Sequence, residues 1–186
     1  MFLENQINML TLIIPIGPPG SGKSTLGKLI KEKIGNSAKF YISSRDEEYA
    51  KVIKEQPSKK KARRILFDRM IDFFRVIKED ESKEIVVYMD SCNGKKEIRD
   101  KFIKELNPGF IIYINYRFSD LEFLISRTIY REDHPTFPKE ENKQRETIIN
   151  CCKSISYETT ENDRQMIIDI RNESAQENIL NYIFSI

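Results

Sequence analysis

The sequence contains one histidine, His134. This excludes two-histidine phosphoesterase chemistry and argues against a zinc site built from cysteine and histidine. It contains three cysteines, Cys92, Cys151 and Cys152. An odd count with an adjacent pair is a poor disulfide framework, which points to a reducing, intracellular compartment, cytoplasmic or nuclear. No apolar run approaches the ~20 residues that span a bilayer, so no membrane contact is expected. The apolar stretch from Met9 to Ile16 stops at Gly17. The first residues, Met1-Phe2-Leu3-Glu4-Asn5, carry neither a basic region nor a small-residue cleavage site, so no signal peptide is read. Repeats, low-complexity tracts and dividing linkers are also missing, and residues 1–186 read as a single domain.

Charged residues make up 32% of the chain and hydrophobic ones 39%, the balance of a soluble globular protein. Net charge is only +2, yet Lys59, Lys60, Lys61, Arg63 and Arg64 are clustered. Two readings stay open for that cluster. One is a solvated helix start. The other is a functional patch, either a contact to a phosphate backbone or a nuclear-import signal.

The pattern alternates strand and helix. Met9 to Ile16 suits a buried parallel strand, and Ser24 to Ile34 a helix that Gly35-Asn36 stops. Further strands are expected at Ala38–Ser43, Glu84–Met89, Phe110–Asn115 and Met166–Ile170. Helices are expected at Ala62–Lys78, Lys95–Leu106, from Ser119-Asp120 to about Arg131, Glu140–Ser154 and Ala175–Phe184. This predicts an α/β fold, a five-stranded parallel sheet flanked by helices with a small helical lid, and the Gly-rich segment at residues 17–24 between the first strand and helix makes it the P-loop NTPase type. Ligands in such sheets bind beyond the carboxyl ends of the strands.

The first of those loops is Gly17-Pro18-Pro19-Gly20-Ser21-Gly22-Lys23-Ser24, followed by Thr25. Strand, glycine-rich loop and helix in that order form a phosphate cradle, because backbone N–H groups converge where no side chain intrudes. Gly20 and Gly22 supply the backbone freedom, Lys23 is expected at the β/γ-phosphates and Ser24 on Mg²⁺. Asp90 ends the third strand, where a carboxylate holds Mg²⁺ directly or through water. Asp46 follows the second strand. It is either the base that takes a proton from an attacking hydroxyl or a helix N-cap. Arg117, Arg127 and Arg131 follow the fourth strand, with Arg127 and Arg131 spaced i, i+4 on one helical face. Arginine there serves a phosphoryl-transfer lid, and a solvated face is the rival reading. The segment Glu132-Asp133-His134-Pro135-Thr136-Phe137-Pro138 breaks the helix as a lid tip, with His134 a contact or a surface residue.

Together, residues 17–25, Ser44-Arg45-Asp46-Glu47-Glu48-Tyr49 and Asp90-Ser91-Cys92-Asn93 resemble the P-loop polynucleotide 5′-hydroxyl kinases. The resemblance is nearer to the kinase domain of fungal-type tRNA ligases. There Met89-Asp90-Ser91-Cys92-Asn93 and Arg131-Glu132-Asp133-His134 match segments after the third strand and in the lid. The tail, with Ile167-Ile168-Asp169-Ile170 and Glu177-Asn178-Ile179-Leu180, is also similar to the end of that domain.

The resemblance implies an Mg²⁺-dependent transfer of phosphate from ATP or GTP to an RNA or DNA 5′-hydroxyl. Asp46 would be the base, Lys23 and Ser24 the donor site, and Arg127 or Arg131 the lid arginine. Arg45, Asn93 and His134 would touch the acceptor. Phage members carry an arginine three residues after the base, where this chain has Tyr49. Either another cation such as Arg45 takes that role, or the acceptor differs. No Lys-x-Asp-Gly or Asp-x-Asp-Gly-Thr motif is present, so sealing and end-healing partners would be separate. A small-metabolite or nucleoside kinase and a triphosphate-dependent RNA-binding switch are the rival classes.

Overall fold

The computed structural model describes residues 9–118, 120–129, 137–159, 164–169 and 175–184. Five parallel strands form one sheet: β1 (Met9–Ile16), β2 (Lys39–Ser44), β3 (Glu84–Asp90), β4 (Phe110–Arg117) and β5 (Arg164–Asp169). Their order across the sheet is β2-β3-β1-β4-β5, so β1 is central. The helices are α1 (Lys23–Ile34), α2 (Arg45–Glu55), α3 (Lys59–Lys78), α4 (Lys96–Leu106), α5 (Leu121–Thr128), α6 (Glu141–Ser154) and α7 (Ala175–Ile183).

A central parallel strand is covered on both faces, which is why β1 reads as a continuous apolar run. Its side chains alternate between two apolar layers. Leu10, Leu12, Ile14 and Ile16 meet Leu66, Met70, Phe74 and Ile77 of α3 and Phe102 and Leu106 of α4. Ile13 faces the other layer, with Leu26 and Ile30 of α1, Leu124 and Ile125 of α5, Ile148 of α6 and Ile179 of α7. Among the described residues no helix is long and apolar enough to cross a membrane.

Two expectations change. First, a helix absent from the expected set follows β2: α2 begins at Arg45 directly behind the strand. Only Val52 of α2 is buried, so the helix carries almost none of the periodic apolar signal that reveals α3. Second, α5 ends at Thr128, and Ile129 has extended backbone. The expected helix to about Arg131 is therefore too long, and of the two arginines α5 carries Arg127. Arg131 and His134 lie outside the described residues, as does the greater part of the expected lid tip.

The register puts the chemistry on one edge. Ser44 of β2 pairs with Asp90 of β3, and Ile13 of β1 pairs with Tyr88, so all three strands finish at the same carboxyl edge.

Candidate active site at the carboxyl edge

The P-loop turns on glycines in the left-handed region, Gly20 at φ +83° and Gly22 at φ +96°. A side chain at Gly20 would also press on Thr128 Cγ2 at 3.0 Å and the Leu124 carbonyl at 3.2 Å, so α5 packs directly on the loop. Helix α1 starts at Gly22 with no capping side chain and no acidic residue in its first turn. Its first N–H groups are thereby left to an anion, with the helix field favouring negative charge. The buried Tyr88 hydroxyl donates to the Lys23 carbonyl at 2.6 Å and fixes that turn against β3.

Lys23 folds back onto the loop. Its ammonium donates to Gly17 O at 2.9 Å, Pro18 O at 2.6 Å and Ser21 Oγ at 3.0 Å. Burial lowers its pKa, against the pull of Cys92, Cys151, Asp90 and Asp46. Three neutral acceptors therefore hold a desolvated cation, an arrangement that a triphosphate would improve.

Ser24 donates its hydroxyl to Asp90 Oδ1 at 3.0 Å. Burial raises the Asp90 pKa, Ser24 and Lys23 oppose that, and Asp46 and Glu47 add to it. A carboxylate kept short of compensating charge beside an exposed hydroxyl offers two hard oxygens to a cation. Among the described residues no group of three or more His, Cys, Asp or Glu is arranged to hold a metal ion, so Ser24 and Asp90 are the candidate protein ligands. That donor set fits Mg²⁺, which takes few protein ligands beside substrate phosphates.

Lys23, Ser24, Thr25, Asp46 and Asp90 line one cleft of about 230 Å³, whose wall also includes Phe137, Pro138, Thr147 and Cys151. The N-cap of α2 is Ser44, and Asp46 lies in the first turn, so the capping reading of Asp46 falls away.

Other expected site residues are placed differently. Arg45 is exposed and does not line this cleft. Arg127 is exposed, with its guanidinium 5.6 Å from the Phe123 ring, and it too is absent from the cleft wall. Arg117 lies 5.5 Å from the Tyr157 ring. Asn93, expected at the acceptor, is buried in the left-handed region at φ +49°. Its amide donates to Pro15 O at 2.8 Å, Met89 O at 2.8 Å and Ser91 O at 3.1 Å, while its Oδ1 accepts from Ser91 Oγ. Both ends of the side chain are thus engaged in holding the loop after β3 against β1.

Arg99 completes that scaffold from α4, donating to the carbonyls of Asn93 at 2.8 Å, Ser156 at 3.0 Å and Glu158. Sequence reasoning missed Arg99, because a charged residue in an amphipathic helix reads as solvated. It also missed Cys92 and Cys151 as wall residues. Cys92 stands two residues beyond Asp90 and was open to that inference, whereas Cys151 reaches the site only through the packing of α6. The Cys151 thiol at Cys92 and the Lys23 ammonium hold the Cys92 thiol below its ordinary pKa, and Cys151 is pushed up.

Among the described residues, larger cavities also occur that hold none of the P-loop residues. One of about 480 Å³ lies between β2, α2 and α3, lined by Ser43, Ser44, Glu47, Glu48, Lys51 and Arg69. Arg69 there bridges Glu48 at 3.0 Å and Glu55 at 2.5 Å. Another, about 600 Å³, is a mixed-charge groove between α3 and α4.

No known family profile matches the chain, and neither does any curated protein sequence. Solved structures do match. Kti12 of Chaetomium thermophilum, in complex with ADP-AlF3, aligns over 95% of this chain and 97% of its own at 14% identity, with a TM-score of 0.62. A shikimate kinase of Acinetobacter baumannii, in complex with shikimate, aligns over 96% and 93% at 17% identity and TM-score 0.55. The deoxyadenosine kinase of M. mycoides with bound dCTP aligns over 94% and 100% at 20% identity and TM-score 0.56. At these identities the likeness speaks for the fold, and the chain accordingly has the α/β fold shared by P-loop kinases.

Proposed function

We propose that this protein transfers the γ-phosphate of ATP or GTP, with Mg²⁺, to the 5′-hydroxyl end of RNA or DNA, as in RNA repair or tRNA splicing. The observation that carries the transfer chemistry is that Lys23, Ser24, Asp46 and Asp90 line one cleft. The acceptor oxygen attacks the γ-phosphorus, the bond to the β–γ bridging oxygen breaks, and the nucleoside diphosphate leaves. Asp46 accepts the proton of the attacking hydroxyl. The P-loop amides and Lys23 hold the phosphates, with Lys23 exchanging its loop carbonyls for phosphate oxygens. Ser24 and Asp90 would hold Mg²⁺, which neutralises developing charge when bound.

The polynucleotide acceptor is supported by α3. Arg69 and Met70 of α3 share a cavity with Ser43 and Ser44 at the end of β2, and the helix finishes before β3 begins, so its N-terminus projects beyond the carboxyl edge. Lys59, Lys60, Lys61, Arg63 and Arg64 are exposed there, and none of their side chains makes an ion pair or hydrogen bond among the described residues. Free cations at such an edge suit a phosphate backbone. Ligase and end-healing partners would be separate proteins or domains.

A second reading, a small-metabolite or nucleoside kinase, is favoured by the 480 Å³ cavity lined by Ser44 and Glu47, which is within the range of small-ligand sites. Small acceptors of the fold-sharing shikimate and deoxyadenosine kinases point the same way. γ-Labelled triphosphate offered with 5′-hydroxyl RNA, 5′-hydroxyl DNA, nucleosides and sugar acids separates the two. Label on the oligonucleotide, weakened by neutralising residues 59–64 and by salt, supports the first reading. Label on a small hydroxyl compound alone establishes the second.

A further inference from the structure

The three cysteines are all free thiols, and two of them meet at the cleft. Cys92, in the loop after β3, and Cys151, on α6, have their sulfurs 2.8 Å apart across 59 residues of chain. Both are half-buried and line the phosphate cleft, which gives a small solute access. Cys152 is turned about 100° further round α6. It packs against the apolar layer of Ile114, Leu124 and Ile148, away from the pair.

We propose that Cys92 and Cys151 are an oxidation site, at which a peroxide converts the two thiols into a disulfide that closes the phosphate cleft. One sulfur attacks hydrogen peroxide; the O–O bond breaks, a first water leaves, and a sulfenic acid remains. The second sulfur attacks the first and expels a second water. The two thiol hydrogens end in the waters, the sulfurs lose two electrons together, and the peroxide gains them. A disulfide measures about 2.05 Å, so the sulfurs need to approach by only about 0.8 Å. A dithiol reverses the bond by exchange.

The consequence follows from what Cys92 holds. Its thiol donates to Gly17 O at 3.0 Å, the carbonyl that also accepts from Lys23, and Gly17 N donates to Cys92 O at 3.2 Å. Oxidation removes the thiol hydrogen and with it the bond to Gly17 O, but the backbone bond from Gly17 N remains, so a bond to Cys151 ties α6 to the P-loop through Cys92. The cleft holds about 230 Å³, below the ~300–1,000 Å³ usual for small-ligand sites. A triphosphate seated on the P-loop has to share this space with Thr147 and Cys151 of α6, and the disulfide takes from that wall its freedom to draw back.

The test uses the full chain with hydrogen peroxide, followed by non-reducing peptide mass spectrometry and binding of a non-hydrolysable triphosphate analogue. Neither readout depends on the acceptor. Because Cys151 and Cys152 share a peptide, the Cys152→Ser variant assigns the bond. The expected result is a Cys92–Cys151 link within one chain in the wild type and in Cys152→Ser. Analogue binding should weaken by about tenfold or more and recover with dithiothreitol. Cys151→Ser, which retains Cys152, should form no link to Cys92. The proposal is overturned if the Cys152→Ser chain gives no Cys92–Cys151 link, if the link joins two chains, or if the linked protein binds the analogue within twofold of the reduced protein.

Discussion

Ser24 and Asp90, 66 residues apart in the chain, meet through one hydrogen bond, Oγ to Oδ1 at 3.0 Å. The contact joins the start of α1 to the end of β3. It brings a hydroxyl and a carboxylate to the same point of the cleft before any ligand arrives. Removing the Ser24 hydroxyl takes away one proposed Mg²⁺ ligand and the group that orients the other. Ser24→Ala should raise the Mg²⁺ concentration for half-maximal turnover by roughly 10–100-fold. A magnesium titration of triphosphate turnover checks this, and an unchanged midpoint would remove Ser24 from the metal site.

Asn93 offers a choice between scaffold and substrate contact. Its buried amide donates to the carbonyls of Pro15, Met89 and Ser91. Asn93→Ala leaves those acceptors unsatisfied and puts alanine at φ +49°, so it should cost about 2–3 kcal/mol of stability. Urea unfolding measures the loss. A substrate contact would instead raise the acceptor KM and leave the unfolding midpoint where it was.

How far the sequence reveals this molecule depends on what makes each signal. Strand β1 was legible because burial on both faces forces an unbroken apolar run, and the P-loop because phosphate geometry demands glycine at set positions. Helix α2 was not, since only Val52 of its eleven residues is buried, which leaves little apolar periodicity to read. The Arg127/Arg131 pairing rested on an i, i+4 spacing that holds only while the helix continues, and α5 ends at Thr128. Asn93 was legible as a motif residue, but its role was not, because a motif match carries no information on which way an amide points. Arg99 and Cys151 depend on packing between elements distant in the chain.

Asp80 gives a test of pH dependence away from the site. Ser82 and then Tyr41 hydrogen-bond its carboxylate, which brings its pKa down from 3.8 to about 2. A depressed folded pKa means the ionised form is the one the fold favours. The stabilisation is present above the ordinary carboxylate value and is lost as pH falls towards 2. Asp80→Asn should therefore be less stable than wild type at pH 6, with the gap closing on acidification. Denaturant midpoints across that range check it, and a gap that widens in acid would contradict the assignment.

Phe74 is fully buried between α3 and the sheet, in contact with Phe102 at a ring separation of 5.4 Å. Phe74→Ala should cost about 3–5 kcal/mol from lost burial and the cavity left behind. The folded fraction should still bind triphosphate normally, because Phe74 does not line the phosphate cleft. Unfolding curves and nucleotide titration together separate the two effects.

Asp46 tests the central claim most directly. Wild type and Asp46→Ala are given γ-labelled triphosphate, Mg²⁺ and a 5′-hydroxyl RNA, and label on the RNA is counted beside triphosphate affinity. The expected result is transfer by wild type, a fall of about 100-fold or more in the variant, and triphosphate binding preserved within a few-fold. Equal transfer by the two proteins, or no transfer to RNA by wild type under conditions where a small hydroxyl acceptor is phosphorylated, would contradict the account.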